Sequence, residues 1–156
     1  MSQTELQRLL DLEAIKRLKY AYIRCMTLGA WGELETLLAS DVTTSYSDGK
    51  YVFSGREKLM GFLRGSHGAQ SALRGQWQVG HPEIDFEGDD RARGRWLMHH
   101  YNIDKSRQTG EQQYAYYQDE YRRLDGRWVI QTTGYQRILE EHWSRADLPS
   151  LRIEVG

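Results

Sequence analysis

Apolar residues recur through the first 27 positions mostly at steps of three and four: Leu6, Leu9, Leu10, Ile15, Leu18, Tyr22, Cys25 and Met26. That is the helical period. It predicts an amphipathic helix opened by a capping box at Ser2 and Glu5, running to about Thr27 and ended by Gly29. Its polar first turns are expected to project from the domain. Trp31–Ala39 places Leu34, Leu37 and Leu38 on one face and predicts a second, short helix. From Asp41 the pattern alternates instead, around Asp48-Gly49, and predicts a small hairpin ending at Phe53. Ser54 stands where it can cap a third helix, 55–63. The Gly- and Ser-rich run 64–75 predicts a mobile loop.

The rest of the chain keeps a period of two. Strands are predicted over 76–86, 91–104, 112–124 and 127–140, with turns at Gly88-Asp89-Asp90 and Asp125-Gly126. Asp-Gly between alternating runs is a strong hairpin signal. The last two strands are too long for a small sandwich and too aromatic for a sheet washed by water. They carry Tyr114, Tyr116, Tyr117 and Tyr121, then Trp128 and Tyr135. A strongly curved mixed sheet wrapped on the helices, with a pocket between, accounts for both features. The fold class expected is α+β in a single domain over 1–156, with a polar tail from about 144 that contains Pro149 and can meet a neighbouring subunit.

Composition narrows the function more by exclusion than by assertion. The 156 residues suit one domain with a real core. Lys and Arg number 21 against 22 Asp and Glu, a net charge of −1, and neither half is strongly basic, so no nucleic-acid partner is expected. One cysteine, Cys25, excludes a disulfide framework and a cysteine-based zinc site. His99 and His100 are adjacent on a strand and point to opposite faces, and no other pair of histidines has ligand spacing, so no metal is expected. No phosphate loop, nucleophile elbow or dinucleotide fingerprint is present, and no cofactor is expected. With no signal-peptide pattern and no apolar run of spanning length, the protein is expected to be cytoplasmic and free of the membrane.

Several segments carry a family likeness: LEAIKRLKYAYIRC (12–25), WGELETLL (31–38), TSYSDGKYVFSG (44–55), GHPEI (80–84), GRW (94–96) and YYQDEYRRLDGRWVIQTTGYQRILEEH (116–142). In this order they resemble the SnoaL-like branch of the nuclear transport factor 2-like superfamily. Within that branch they look most like bile-acid 7α-dehydratases and, more distantly, scytalone dehydratases. The likeness implies a cystatin-like cone. It also implies cofactor-free elimination of water from a hydroxylated ring. In the bile-acid enzymes a Tyr late in the first helix and a His–Asp pair on the sheet carry that chemistry. The helix position matches Tyr22, a second pocket Tyr matches Tyr46, and a late Arg matches Arg137. The His–Asp pair does not carry over: its positions fall on Gln78 and His100. A carboxylate that usually follows the first helix is replaced by Thr27. Scytalone dehydratases have a His on the strand of His100, which makes an active His100 plausible.

Each candidate also has a structural alternative. Tyr22 lies on the apolar helix stripe and is either a core ring or a phenol aimed at a developing oxyanion. His100 shares a strand face with Trp96, Met98 and Asn102, and is a core His, a substrate contact or a general base. Arg137 either pairs with an acid such as Asp119 or Glu120, or holds an anionic oxygen. Tyr46 is a rim hydroxyl or a packing ring, and Gln78 a polar pocket contact. Trp96, Met98 and the strand tyrosines are expected as pocket walls. Trp128 and Ile130, on the face opposite Arg137, are candidates for burial against helices or in a subunit contact.

The function expected is a cofactor-free lyase on a small hydrophobic ring substrate, most simply a dehydratase. His100 would be the base, with Tyr22, Tyr46 and Arg137 managing the oxygen. The alternatives are a carbon–carbon lyase of the retro-aldol type on a phenolic aromatic, and a non-catalytic binding protein. A homo-oligomer, dimer or trimer, is expected in each case.

Overall fold

The computed structural model describes residues 2–154. The long helix α1 (Gln3–Leu28) begins with the Ser2–Glu5 capping box and ends at Gly29, whose φ of 68° is the left-handed conformation that glycine takes without steric cost. Leu9 and Leu10 are more than half exposed, so the first two turns contribute little to the core. Burial starts at Asp11 and continues through Ile15, Leu18, Lys19, Tyr22 and Met26. Two polar residues, Asp11 and Lys19, therefore occupy buried positions on the stripe.

The short helix α2 (Trp31–Thr36) stops before its predicted end. Leu38 instead opens strand β1 (Leu38–Tyr46), where it pairs in parallel with Ile130. A leucine at helical spacing is equally at home in a buried strand, and the long-range ladder decides the matter. Strand β2 (Tyr51–Ser54) completes the expected hairpin with β1. Ser54 does not cap the next helix. It pairs with Thr43, and Gly55 takes the N-cap position of α3 (Arg56–His67) at φ 93°. That helix runs four residues past the expected end. Together with the early start of β3 (Leu73–Phe86), this shrinks the predicted loop to residues 68–72. Strand β4 (Arg91–Asp104) has the expected bounds, while β5 (Thr109–Leu124) and β6 (Arg127–Ser144) are longer than their alternation suggested.

The six strands form one sheet in the order β2-β1-β6-β5-β4-β3, antiparallel except for the β1–β6 pair. Bulges bend it. Between β5 and β6 the register shifts twice, leaving Gln131 and Ile138 on β6 without partners. An unpaired residue curves its strand and reverses the alternation beyond it. This is why Ile130, Thr133, Tyr135 and Arg137 share the concave face, although strict alternation puts Ile130 opposite Arg137. The second shift adds Glu140 and His142 to that face. Trp128 is buried against α1, its indole N–H donating to Asp11 at 3.2 Å.

Helices and sheet enclose one core, with Ile15, Leu34, Leu59, Trp96, Met98 and Ile130 fully buried. The tail turns back as a 3-10 turn (Arg145–Asp147), and the Arg145 N–H donates to Gln108 of the same chain, so the start of the tail is tied to its own sheet. Among the described residues no helix is long and apolar enough to cross a membrane.

Candidate functional site

A cavity of about 770 Å³ lies between α1, α3 and the concave face of the sheet. Its inner end is a cluster of phenols. Tyr22 from α1 and Tyr46 from β1 meet oxygen to oxygen at 2.9 Å. Tyr135 lies against both Tyr46 and Tyr117, at centroid separations of 5.7 and 5.6 Å, and its hydroxyl meets Ser47 Oγ at 2.9 Å. Burial pushes the Tyr22, Tyr46 and Tyr117 phenols well above their ordinary range, so these hydroxyls stay protonated at any physiological pH.

The opposite wall holds His100, on β4. Its ring stacks on Trp77 of β3 at 4.5 Å and 11°, and His67 of α3 meets the other edge of Trp77 at 5.0 Å. Gly75, beside Trp77, is what lets the imidazole lie so close to β3. A Cβ there would come within 2.8 Å of His100 Nε2. Burial, and then the neighbouring His67 and His99, pull the His100 pKa down to about 3, while Glu140 acts the other way. The ring is therefore neutral at ordinary pH. Its Nε2 is fully buried and has no hydrogen-bond partner.

Tyr22, Tyr46, His100 and Arg137 all line this cavity, but Gln78, Trp96 and Met98 do not. Gln78 is exposed on the convex face, opposite His99, and its neighbour Trp77 takes the inward place. Trp96 and Met98 share the face of His100, as alternation requires, but lie farther down β4. There α1 fills the space: Tyr20 meets Trp96 edge-on at 5.9 Å, and Trp96 donates to the Tyr121 hydroxyl. They are core, not wall.

Arg137 stands at the mouth. Asp119 and Glu120 are not its partners. Its backbone N–H and its Nε both donate to Asp48, at 2.9 and 2.8 Å, and a terminal nitrogen reaches Glu140 at 3.1 Å. It thereby fastens the tip of the β1–β2 hairpin to β6. These two bonds also hold the Asp48 carboxyl below the usual carboxylate range. A substrate oxygen would have to compete with both acids for this guanidinium.

Of the strand tyrosines expected as walls, Tyr117 and Tyr135 line the cavity. Other site residues were not apparent from sequence. Trp77 is foreseeable once the parity of β3 is known. Glu140 and His142 reach the cavity only because of the bulge at Ile138, which leaves no local signal. Among the described residues no group of three or more His, Cys, Asp or Glu is placed to hold a metal ion.

The comparisons agree with this architecture. A Novosphingobium aromaticivorans protein, provisionally named a scytalone dehydratase, superposes with a TM-score of 0.77 at 19% identity, covering 86% of this chain and 89% of its own. The hexachlorocyclohexane dehydrochlorinase LinA-type3 of Novosphingobium barchaimii gives 0.80 at 16% identity, with 89% and 94% covered. A protein of unknown function with a cystatin-like fold from Nostoc punctiforme gives 0.63 at 16%, with 83% and 92% covered. At these identities the likeness is one of fold, and the fold is the cystatin-like, nuclear transport factor 2-like cone. In sequence, the SnoaL-like domain family matches residues 7–133, and the chain belongs to that family.

Proposed function

We propose that the protein is a cofactor-independent lyase acting on a hydroxylated hydrophobic ring compound, most simply as a dehydratase. One observation carries this: buried neutral phenols and a buried neutral imidazole line one aromatic cavity, on opposite walls. A neutral imidazole can take a proton, and a protonated phenol can give one. The cavity is of a size that encloses a small polycyclic or two-ring compound. The named activities of the dehydratase and dehydrochlorinase neighbours, both eliminations, support the reaction class. The segments that resemble bile-acid dehydratases support a ring substrate.

His100 would remove a proton from the carbon next to the hydroxyl-bearing one. Because Nε2 is sealed, Nδ1 is the nitrogen left to do so. The C–H electron pair becomes the new double bond. The hydroxyl leaves with a proton from the Tyr22–Tyr46 pair, as water. The resulting phenolate then recovers its proton from the imidazolium, which restores both groups. Atoms and charge balance with nothing added.

The test is incubation of the purified protein, without cofactor or metal, with hydroxylated steroids and phenolic aromatics, products being read by mass. Loss of water from one class is expected. His100→Ala and Tyr22→Phe should each lower kcat by roughly 10²- to 10⁴-fold. Loss of formaldehyde instead of water would make the enzyme a carbon–carbon lyase using the same base. A change in Trp fluorescence with no change in mass would make it a binding protein. Unchanged turnover in both variants would overturn the assignment.

A further inference from the structure

The outer end of the cavity holds polar side chains that the reaction above does not use. Arg137, Glu140 and His142 of β6 all line it, and Glu140 joins the other two. Its two oxygens serve different partners. Oε2 accepts from Gln113 Nε2 at 2.5 Å and from Arg137 Nη1 at 3.1 Å, while Oε1 meets His142 Nε2 at 2.7 Å. Burial works against the Glu140 charge, but these bonds outweigh it and hold the carboxyl below its usual range. A carboxylate only accepts, so Nε2 carries the ring proton in this contact and the lone pair of the neutral imidazole is at Nδ1. Nδ1 makes no hydrogen bond, and Glu111 of β5 stands 3.7 Å from it. The His142 side chain is 60% exposed, so water reaches it, unlike the sealed Nε2 of His100. Among the described residues no Ser, Thr or Cys side chain bonds to His142, which leaves water as the nucleophile within its reach. Arg137 is fixed on two sides, by Asp48 at Nε and by Glu140 at Nη1, and its Nη2 has no partner among the described residues. The mouth therefore has an oriented base and, on the same carboxylate, a rigid cation. Addition of water to a carbonyl needs both, one for the proton and one for the oxyanion.

We propose that the mouth of the cavity is a second catalytic centre, in which His142 and Arg137 hydrolyse a carboxylic ester of a ring alcohol or phenol and Glu140 is the positioning residue for both. The ring lies in the aromatic cavity and the acyl group at the wet end. His142 Nδ1 takes a proton from water as the water oxygen bonds to the carbonyl carbon. The carbonyl oxygen becomes an oxyanion against Arg137 Nη2. The imidazolium then gives its proton to the ring oxygen as the C–O bond breaks and the carbonyl re-forms. The products are the carboxylic acid and the free ring alcohol, and both side chains return to their starting states. Glu111 faces the imidazolium while it lasts. Burial and the charge of Glu140 raise the Glu111 carboxyl, and a positive His142 acts the other way, so the pair favours the charged ring. The alcohol set free is a hydroxylated ring compound, the class that the inner end of the cavity would dehydrate. The hydrolytic step itself uses neither His100 nor the Tyr22–Tyr46 pair, so it stands or falls apart from the lyase reading.

The experiment is steady-state hydrolysis of naphthyl acetate by the full chain, read by release of naphthol, with free imidazole at equal concentration as the background. The wild type should saturate with the ester and exceed that background. His142→Gln, at an exposed side chain that the fold does not need, should lower kcat by about 10²-fold or more. Arg137→Gln, its fold checked by a melting curve, should lower kcat by roughly 10²-fold. Glu140→Gln should lower kcat by about tenfold with little change in KM, the split expected of a group that orients the base without binding the ester. His81→Gln changes an exposed histidine outside the cavity and should leave turnover as it is. A wild-type rate no greater than the imidazole background overturns the inference. So does turnover that survives His142→Gln. A loss in His81→Gln equal to that in His142→Gln would mark adventitious catalysis by surface histidines and overturns it as well.

Discussion

At the scale of the residue, the governing fact is that the site's proton carriers are all neutral because they are dry. Tyr22, Tyr46 and His100 are each more than nine-tenths buried. Burial opposes whichever form bears charge, raising the phenols and lowering the imidazole. This has a consequence for stability. The folded His100 has a pKa of about 3 against an ordinary 6.5, so the unfolded chain binds its proton more readily. Its contribution is complete above pH 6.5 and is lost as the pH falls from there toward 3. His67, also lowered by burial, acts with the same sign. The melting temperature should therefore decline through this window, and His100→Phe should flatten the decline. Thermal scans between pH 7 and 4 check it, and a variant that tracks the wild type would contradict it. That a histidine stands at position 100, inward-facing, was legible from alternation. That it is neutral was not, because Trp77, His67 and Gly75 reach it from other elements.

At the scale of the element, α1 is held where it is by polar bonds as much as by its apolar stripe. Asp11, almost fully buried, accepts from Gln7 one turn earlier, from the Trp128 indole and from Arg123. Removing the carboxylate leaves a buried indole N–H without an acceptor and leaves Arg123 with only its looser contact to Asp90, at 3.7 Å. Asp11→Ala should cost about 2–3 kcal/mol in chemical denaturation. Tyr22 sits three turns farther along the same helix, so a loosened start should reach the site only weakly. The helical period from Ile15 to Met26 made this helix readable from sequence. The anchor was not readable, since an Asp on an apolar stripe has no visible partner until β5 and β6 are folded beside it. Similarly, the extent of α3 was hidden by Gly65 and Gly68, and that of α2 by a leucine that serves a strand equally well.

At the scale of the whole molecule, the core contains an ion pair. Lys19 is wholly buried, with Nζ 2.7 Å from Asp119 and 3.4 Å from the centroid of the Tyr117 ring. Tyr121 and Thr133 donate to the same carboxylate at 2.8 and 2.7 Å. One helix and two strands are thus joined beneath the phenol cluster. Burial opposes the ammonium and Asp119 favours it, the first being the larger effect. Breaking such a pair leaves an uncompensated charge, whereas replacing both partners by apolar residues of similar volume is often neutral. Lys19→Met alone should destabilise by about 3–5 kcal/mol, and Lys19→Met with Asp119→Leu by much less. Denaturation of the two variants decides it. Equal losses would mean that the hydroxyls on Asp119, and not the charge, hold the strands.

By itself the sequence determined what is periodic and local. The helical stripe, the alternating strands, the Asp-Gly and Gly-Asp turns and the helices-then-strands order are set by backbone geometry over a few residues, so a curved sheet wrapped on helices and the inward place of Tyr22 and His100 could be read from it, while the cone itself and the place of Tyr46 were what the family resemblance implied. Tertiary structure decided what depends on register and on neighbours far along the chain. The bulges at Gln131 and Ile138 reversed the alternation of β6 and brought Glu140 to the cavity. The pairing of Trp77 directly opposite His100 put tryptophan, not Gln78, on the wall. Packing of α1 closed the space around Trp96 and Met98. The physical reason is the same in each case. An alternating pattern says which residues share a face, but one unpaired residue exchanges the faces, and only the neighbouring strand and the helix above it determine whether a face meets a cavity or a core.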